Sequence, residues 1–253
     1  MSNKSKSKKG LTIAWWSGGI TSAVACKYAL QDYENVKIVY IETGSHHEDH
    51  ERFRKDCEKW YGQPIEVIRS HKYDDVFDVI ESTKYINGPT GARCTTELKK
   101  LVRKKFERAN NIYQQVWGFE HNPKEINRAE RFVNRNGGLH QFPLINHKIN
   151  KPDAMNIMQQ AGIEIPAMYK LGYHNSNCIG CVKGGQGYWN KIRKDFPEVF
   201  AEMSRLEQEL GRSCLKTKDG QLFLKDLDPN AGRHEGPIVP TCGLFCESWG
   251  VKF

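Results

Sequence analysis

Two groups of residues have the types and spacing to do chemistry. The first is 17-SGGITS-22, which follows the apolar run 11-LTIAWW-16 and leads into a helical pattern. A turn between a strand and a helix points several backbone N–H groups into one concavity at the positive end of a helix dipole, a place for phosphate or sulfate. Gly18 and Gly19 let the backbone approach an anion, and Ser17, Thr21 and Ser22 carry hydroxyl groups. No lysine stands where a GxxxxGK[ST] loop requires one. Taken alone, the stretch suits an ordinary strand-to-helix turn equally well.

The second group is the cysteines, eight in all. Cys26, Cys57 and Cys214 stand singly in amphipathic or mixed surroundings and read as packing residues. Cys178 and Cys181 form a CxxC with Gly180 inside it, and Cys242 and Cys246 form a CxxxC. Two such pairs suit a metal, with thiolates favouring zinc or an iron–sulfur cluster such as 4Fe-4S; the leading ligand set is Cys178, Cys181, Cys242 and Cys246. Cys94, in 91-GARCTTELKK-100, precedes a helix that Thr95 could cap and lies between Arg93 and Lys99. That setting is expected to lower its pKa and favour a ligand or a reactive thiolate.

Composition bounds what surrounds these groups. The chain has 253 residues, 38% of them hydrophobic, enough for one large domain or a domain with a smaller lobe. No apolar run approaches the 18 residues of a membrane span. The opening MSNKSKSKKG lacks the apolar stretch of a secretory signal and reads as a disordered tail over residues 1–10, so a reducing, cytoplasmic setting is expected. Four lysines of that tail supply half of the formal +8 charge. The remaining excess suits anionic small molecules and nucleic acid alike.

Strand patterns fall at 11–16, 36–42, 64–70, 115–120 and, more weakly, 140–145, with helical stripes between them. One stripe runs through Ile20, Ala23, Val24 and Leu30, another through Leu98, Leu101, Val102, Phe106 and Ala109. Alternation of this kind predicts an α/β fold: a Rossmann-like parallel sheet with helices on both faces, spanning residues 11–150. Beyond it a smaller helical, cysteine-rich lobe is expected over 151–253. There Pro152 opens one helix, Asp195 and Glu198 suggest a capping box for a second, and Gly211 stops the second.

Ligands of open α/β sheets sit at the carboxyl ends of the strands. The second strand ends in 42-ETGSHHEDHERF-53 and the fourth in 117-WGFEHNPKEINRAERF-132. Glu42, Thr43, Gly44, Gly118, Arg128 and Arg131 are therefore candidate contacts to a phosphate or sulfate. His46, His47 and His50, with Glu48 and Asp49, raise a second metal site. Polar substrate contacts are the preferred reading of these histidines, with solvated surface close behind.

In order along the chain, SGGITS, ETG and WGFE…EINRAER resemble the motifs of the PP-loop adenine nucleotide α-hydrolase superfamily, and residues 149–181 resemble its 3′-phosphoadenylyl sulfate (PAPS) reductase branch. The resemblance covers roughly residues 11 to 183. It implies an adenylyl nucleotide, PAPS, adenylyl sulfate (APS) or ATP, with Ser17, Gly18, Gly19 and Ser22 around its phosphate or sulfate. It also implies a competing ligand set, since the cluster of adenylyl sulfate reductases includes a cysteine pair near the place of Cys94. Cys94, Cys178, Cys181 and one C-terminal cysteine would form that set. Likewise 241-TCGLF-245 resembles the family's nucleophile motif, which makes Cys242 a candidate catalytic thiol beside Cys94, although Thr241 and Phe245 depart from the pattern. Thr21 stands where many ATP-splitting relatives carry Asp, and a hydroxyl anchors Mg²⁺ less well than a carboxylate.

Three functions follow. The leading one is a sulfonucleotide reductase-like enzyme served by a thiol reductant such as thioredoxin. The second is an ATP pyrophosphatase that adenylates a nucleobase or another acceptor for sulfur insertion, with Mg²⁺ as an optional partner. The third is a non-enzymatic, metal-stapled nucleic-acid-binding module using 99-KKLVRKK-105 and 191-KIRKDF-196, stretches that read first as solvated helix faces. Oligomeric state is left open.

Overall fold

A computed structural model describes residues 10–89 and 91–233. Cys242 and Cys246 therefore lie outside the described residues, as does the basic tail up to residue 9. Five strands, β1 (Leu11–Trp16), β2 (Val36–Glu42), β3 (Ile65–Arg69), β4 (Ile112–Val116) and β5 (Leu139–Gln141), form one sheet in the order β3-β2-β1-β4-β5. Every pairing is parallel. This is the expected Rossmann-like arrangement, and β1/β4 is the point where the strand order reverses.

β1 is central, and its side chains are buried on both faces. Ala14 and Trp16 pack with α1 (Ile20–Asp32) and with Leu144, Ala154, Met155 and Met158. Ile13 and Trp15 face the other way, onto Phe106 of α4 (Leu101–Ala109). Between strands lie α2 (Asp49–Tyr61), α3 (Val76–Thr83) and α5 (Pro123–Asn136). They are followed by α6 (Pro143–Asn146), α7 (Lys151–Gln160), α8 (Ala167–Lys170), α9 (Gln186–Asp195) and α10 (Pro197–Leu210). The short antiparallel pair β6 (Leu215–Thr217) and β7 (Gly220–Leu222) follows, and then a 3-10 turn at Leu224–Asp226. Among the described residues no helix is long and apolar enough to cross a membrane.

Packing cuts across residue 150. Helix α7 joins the core under the sheet, while Tyr73, Val76, Val79, Ile80 and Leu98 join a second core with Met168, Trp189, Met203 and Leu206.

Three local expectations change. The fourth strand lies at 112–116 rather than 115–120, because its inward Gln114 breaks the apolar pattern. That buried amide is satisfied sideways: its Nε2 donates to Thr12 Oγ1 at 3.1 Å, and its Oε1 accepts from Gln141 Nε2 at 3.1 Å. The fifth strand ends at Gln141, since Pro143 opens a helical turn. Asp195 ends α9 and pairs with Lys191 at 2.8 Å instead of capping α10, which begins at Pro197.

Glu207 lies within α10 and is fully buried. Its Oε1 accepts the Cys214 N–H and its Oε2 the Leu224 N–H, both at 2.6 Å, so one carboxylate fastens two segments of the second core. Glu207→Ala leaves two buried donors unpartnered and is expected to cost ~3 kcal/mol in urea unfolding, with Glu207→Gln intermediate.

Candidate active site

The chain turns sharply after Trp16. Gly18 has φ +77°, and a Cβ there would lie 1.6 Å from His50 Nε2, so only glycine fits. Gly19 is the N-cap of α1 without a side-chain cap, which leaves the first N–H groups of the helix largely to other partners. Ser22 Oγ accepts from Ser17 N and lies 3.0 Å from Ser17 Oγ, closing the loop on itself. From the neighbouring strand, Gly118 packs against the same turn: a Cβ on it would lie 2.5 Å from Ser22 Cα.

Above this loop is a cleft of about 910 Å³ at the carboxyl ends of β1, β2 and β4. Ser17, Thr21, Ser22, Gly118 and Arg128 line it. Gly18 and Gly19 shape the loop without lining the cleft, and Arg131 is exposed outside it. Glu42, Thr43 and Gly44 also stand behind the wall, building the turn after β2. Glu42 Oε1 accepts the Thr43 and Gly44 N–H groups, each at 2.7 Å, and Gly44 (φ +69°) abuts the Asp74 carbonyl.

Six cations, Lys99, Lys100, Arg103, Lys124, Arg128 and Lys151, line the cleft against the carboxylates Glu120 and Glu125. The first three belong to a stretch that reads as a solvated helix face. Residues Thr95–Lys100 are π-helical, and the Leu101 N–H bonds the Thr96 carbonyl five residues back. The wider turn shifts the helix phase, so Leu101 is 49% exposed while Lys99, Lys100 and Arg103 face the cleft. A 3.6-residue stripe drawn through this segment misplaces Leu101, and a run of cations beside Cys94 was the available signal. Arg103 lies over Trp117 (5.3 Å) and Arg128 over Phe119 (4.5 Å), with Trp15 stacked on Trp117 at 5.9 Å.

Toward β2 the cleft is lined by His46, Thr95 and Asn177, the neighbours of the thiols. The Ile179 N–H bonds Ser45 O at 2.7 Å and holds the Cys178 loop against the β2 turn. Gly180 takes φ +73° between the two cysteines. Tyr188 Oη accepts the Cys181 N–H and donates to the Cys178 carbonyl, fixing the knuckle. Burial pushes the Cys178 thiol up, but His46 (Nε2 at 4.0 Å), Lys99 and Thr43 (Oγ1 at 3.2 Å) outweigh it and bring the pKa down to about 6. Cys94 departs from expectation. Burial, and then the nearby Cys178 and Cys181 thiols, push its pKa up. It sits inside the helical segment, where Thr95 donates its N–H to the Ala92 carbonyl and caps nothing. Cys94 thus lies near enough to Cys178 and Cys181 for their thiols to act on its own.

Residues 12–186 match the phosphoadenosine phosphosulfate reductase domain. The chain belongs to this family. Among solved structures, the PAPS reductase of Candida auris in its phosphate complex aligns with a TM-score of 0.51 at 10% identity. It covers 66% of this chain and 80% of that one, a likeness of fold. The U34-tRNA thiolase NcsA of Methanococcus maripaludis with its [4Fe-4S] cluster aligns over 90% of this chain and 84% of that one. Its identity is 15% and its TM-score 0.38, too loose for structural inference. No curated protein matches the chain. As a member of the PAPS reductase family, the chain carries its SGG loop at the strand-order reversal of the sheet.

Gly118→Ala must push the first turn of α1 aside. It is expected to weaken pyrophosphate binding at least ~tenfold in calorimetry. Gly185→Ala, which meets nothing within 4 Å, leaves the affinity unchanged.

Proposed function

We propose that the protein is an enzyme that binds an adenylyl nucleotide of the PAPS or APS type in this cleft and transfers or reduces its sulfur. One observation carries the reading: a single cationic cleft runs from the Ser17 loop to the neighbours of the Cys178 thiol. Loop N–H groups, Lys99, Lys100, Arg103, Lys124 and Arg128 match a polyanion, and Trp15, Trp117 and Phe119 offer aromatic faces.

The chemistry balances with thiols alone. A cysteine thiolate attacks the sulfate sulfur, forming an S–S bond and breaking the S–O bond, and the nucleotide leaves as its phosphate. A second thiol attacks the S-sulfocysteine at its cysteine sulfur, sulfite leaves, and the two thiols end as a disulfide that an external dithiol such as thioredoxin reduces. Cys242 is the proposed nucleophile, because the raised pKa of Cys94 leaves less of it as the attacking thiolate.

Cys94, Cys178 and Cys181, with one C-terminal cysteine, would hold a soft metal centre. An iron–sulfur cluster held there would supply a redox-active, polarising centre at the end of the cleft. The gathering of three thiols also favours a second reading, ATP-dependent adenylation of an acceptor followed by sulfur insertion, against which Thr21 counts.

Release of sulfite from PAPS or APS with a dithiol is the expected activity. AMP and pyrophosphate from ATP would instead establish the second reading. Lys99→Ala and Arg103→Ala are each expected to weaken nucleotide binding ~tenfold or more, the range of a lost charged hydrogen bond. Anaerobically purified protein is expected to be brown and to contain iron that Cys181→Ser removes and Cys26→Ala retains. Colourless protein with stoichiometric zinc would remove the cluster from the proposal.

A further inference from the structure

We propose that Lys151 is a positioning residue. Although it lines the cationic cleft, its ammonium group holds the segment 174–177, the wall that leads to Cys178, and does not bind the anion. Its role in the reaction rests on the nucleotide reading above; the contacts themselves do not.

Lys151 is the first residue of α7, and a capping box fixes the helix start around it. Asn150 Oδ1 accepts the Asp153 N–H at 2.9 Å, and Asp153 Oδ2 accepts the Asn150 N–H at 3.0 Å. From this start the side chain, 16% exposed, reaches the segment that precedes Cys178. Its Nζ donates to the His174 carbonyl at 2.9 Å and to Asn175 Oδ1 at 3.0 Å. Glu120, on the turn after β4, stands 3.9 Å from the same Nζ. One ammonium group thus joins α7, the β4 turn and the approach to the thiols.

These contacts separate the two roles open to a lysine in such a cleft. To reach a phosphate, Lys151 would have to give up two hydrogen bonds of ordinary length. The Glu120 carboxylate beside it also repels an incoming anion. The exposed Lys99, Lys100 and Lys124 are the lysines for that task.

What Lys151 holds is a dividing wall. Asn175 and Asn177 line the cleft and also a second cavity beside Tyr173, Tyr188 and Lys191, so the segment stands between the two. The Ser176 N–H acts on the Tyr169 hydroxyl, whose oxygen also accepts the Ile20 N–H of α1. Beyond Cys178, the Ile179 N–H bonds the Ser45 carbonyl. Cys178 is anchored on both sides, and Lys151 supplies the anchor that faces the cleft.

Two variants of the full chain test this. Lys151→Met keeps an unbranched stem and removes the ammonium group, whereas Lys151→Arg restores donors for both oxygens. Hydrogen exchange read by mass spectrometry is expected to be at least ~tenfold faster at 174–178 in Lys151→Met, near wild type in Lys151→Arg, and unaltered in β1. Pyrophosphate affinity in calorimetry should stay within ~threefold of wild type in Lys151→Met, against the ~tenfold loss expected for Lys99→Ala. With PAPS or APS and a dithiol, kcat should fall while KM holds, as for a residue that serves the step rather than the binding. Unaltered exchange at 174–178, an acceleration shared by β1, or a loss of pyrophosphate affinity as large as that of Lys99→Ala overturns the assignment. Wild-type protein that binds no pyrophosphate counts against the nucleotide reading alone, and the exchange measurement then still decides whether Lys151 holds the wall.

Discussion

The cleft depends on a close approach of backbones. At Gly118 the chain leaving β4 meets the first turn of α1 with no room for a methyl group, and at Gly18 the loop meets the edge of His50 in the same way. These two contacts set the loop between β1 and β4, where the sheet order reverses and a crevice opens between outgoing connections. Ser17 and Ser22 are spent on each other, so the loop is held by its own hydroxyl groups before any ligand arrives. Tyr169 Oη accepts the Ile20 N–H at 3.4 Å and ties α8 to the same helix start. What remains for an anion is backbone N–H and the charges around the rim.

Those charges are partly pre-set. Arg103 and Arg128 lie over aromatic rings and are each paired with a glutamate on their own helix, Arg103 with Glu107 at 3.3 Å and Arg128 with Glu125 at 3.0 Å. A guanidinium stacked on a ring loses less freedom on binding than a free lysine does. Exposed ion pairs such as Arg128–Glu125 are worth little in themselves, so exchanging one for a bound phosphate costs little. The cleft therefore combines a rigid floor with a rim whose charges can be re-partnered.

How much of this could be read from the residues differs element by element. β1 and β2 were legible because central parallel strands are apolar on both faces and the chain writes them as short apolar runs. β4 was blurred because Gln114 hides its amide in a lateral chain from Thr12 to Gln141, a satisfaction that no local pattern reveals. The helix after Cys94 was misphased because a π-helical turn changes the period on which stripe reading relies. Lys99, Lys100 and Arg103 consequently read as solvent-facing, although they supply half of the cleft's cations. Glu207 was unreadable for a related reason: its partners, the amides of Cys214 and Leu224, lie beyond the helix that carries it. Residue types marked the loop and the thiols; partners distant in sequence decided everything else about them.

The thiols and the imidazoles share one wall, and their chemistry keeps them apart. His46 stands between them, with Nε2 4.0 Å from Cys178 Sγ and its ring stacked on His50 at 4.4 Å. Burial alone would hold both imidazoles neutral. For His46 the Cys178 thiol and Glu42 outweigh that burial and raise its pKa. For His50, burial, and then the charge of His46, outweigh the pull of Glu42 and the Ser17 backbone and bring the pKa down to about 4. The two rings are thus driven in opposite directions by what each one faces. The Ile179–Ser45 hydrogen bond fixes the distance between the Cys178 loop and the β2 turn. Displacing either loop would alter the surroundings of Cys178 and of both imidazoles at once, which makes this single backbone contact the joint on which the chemistry of the wall turns.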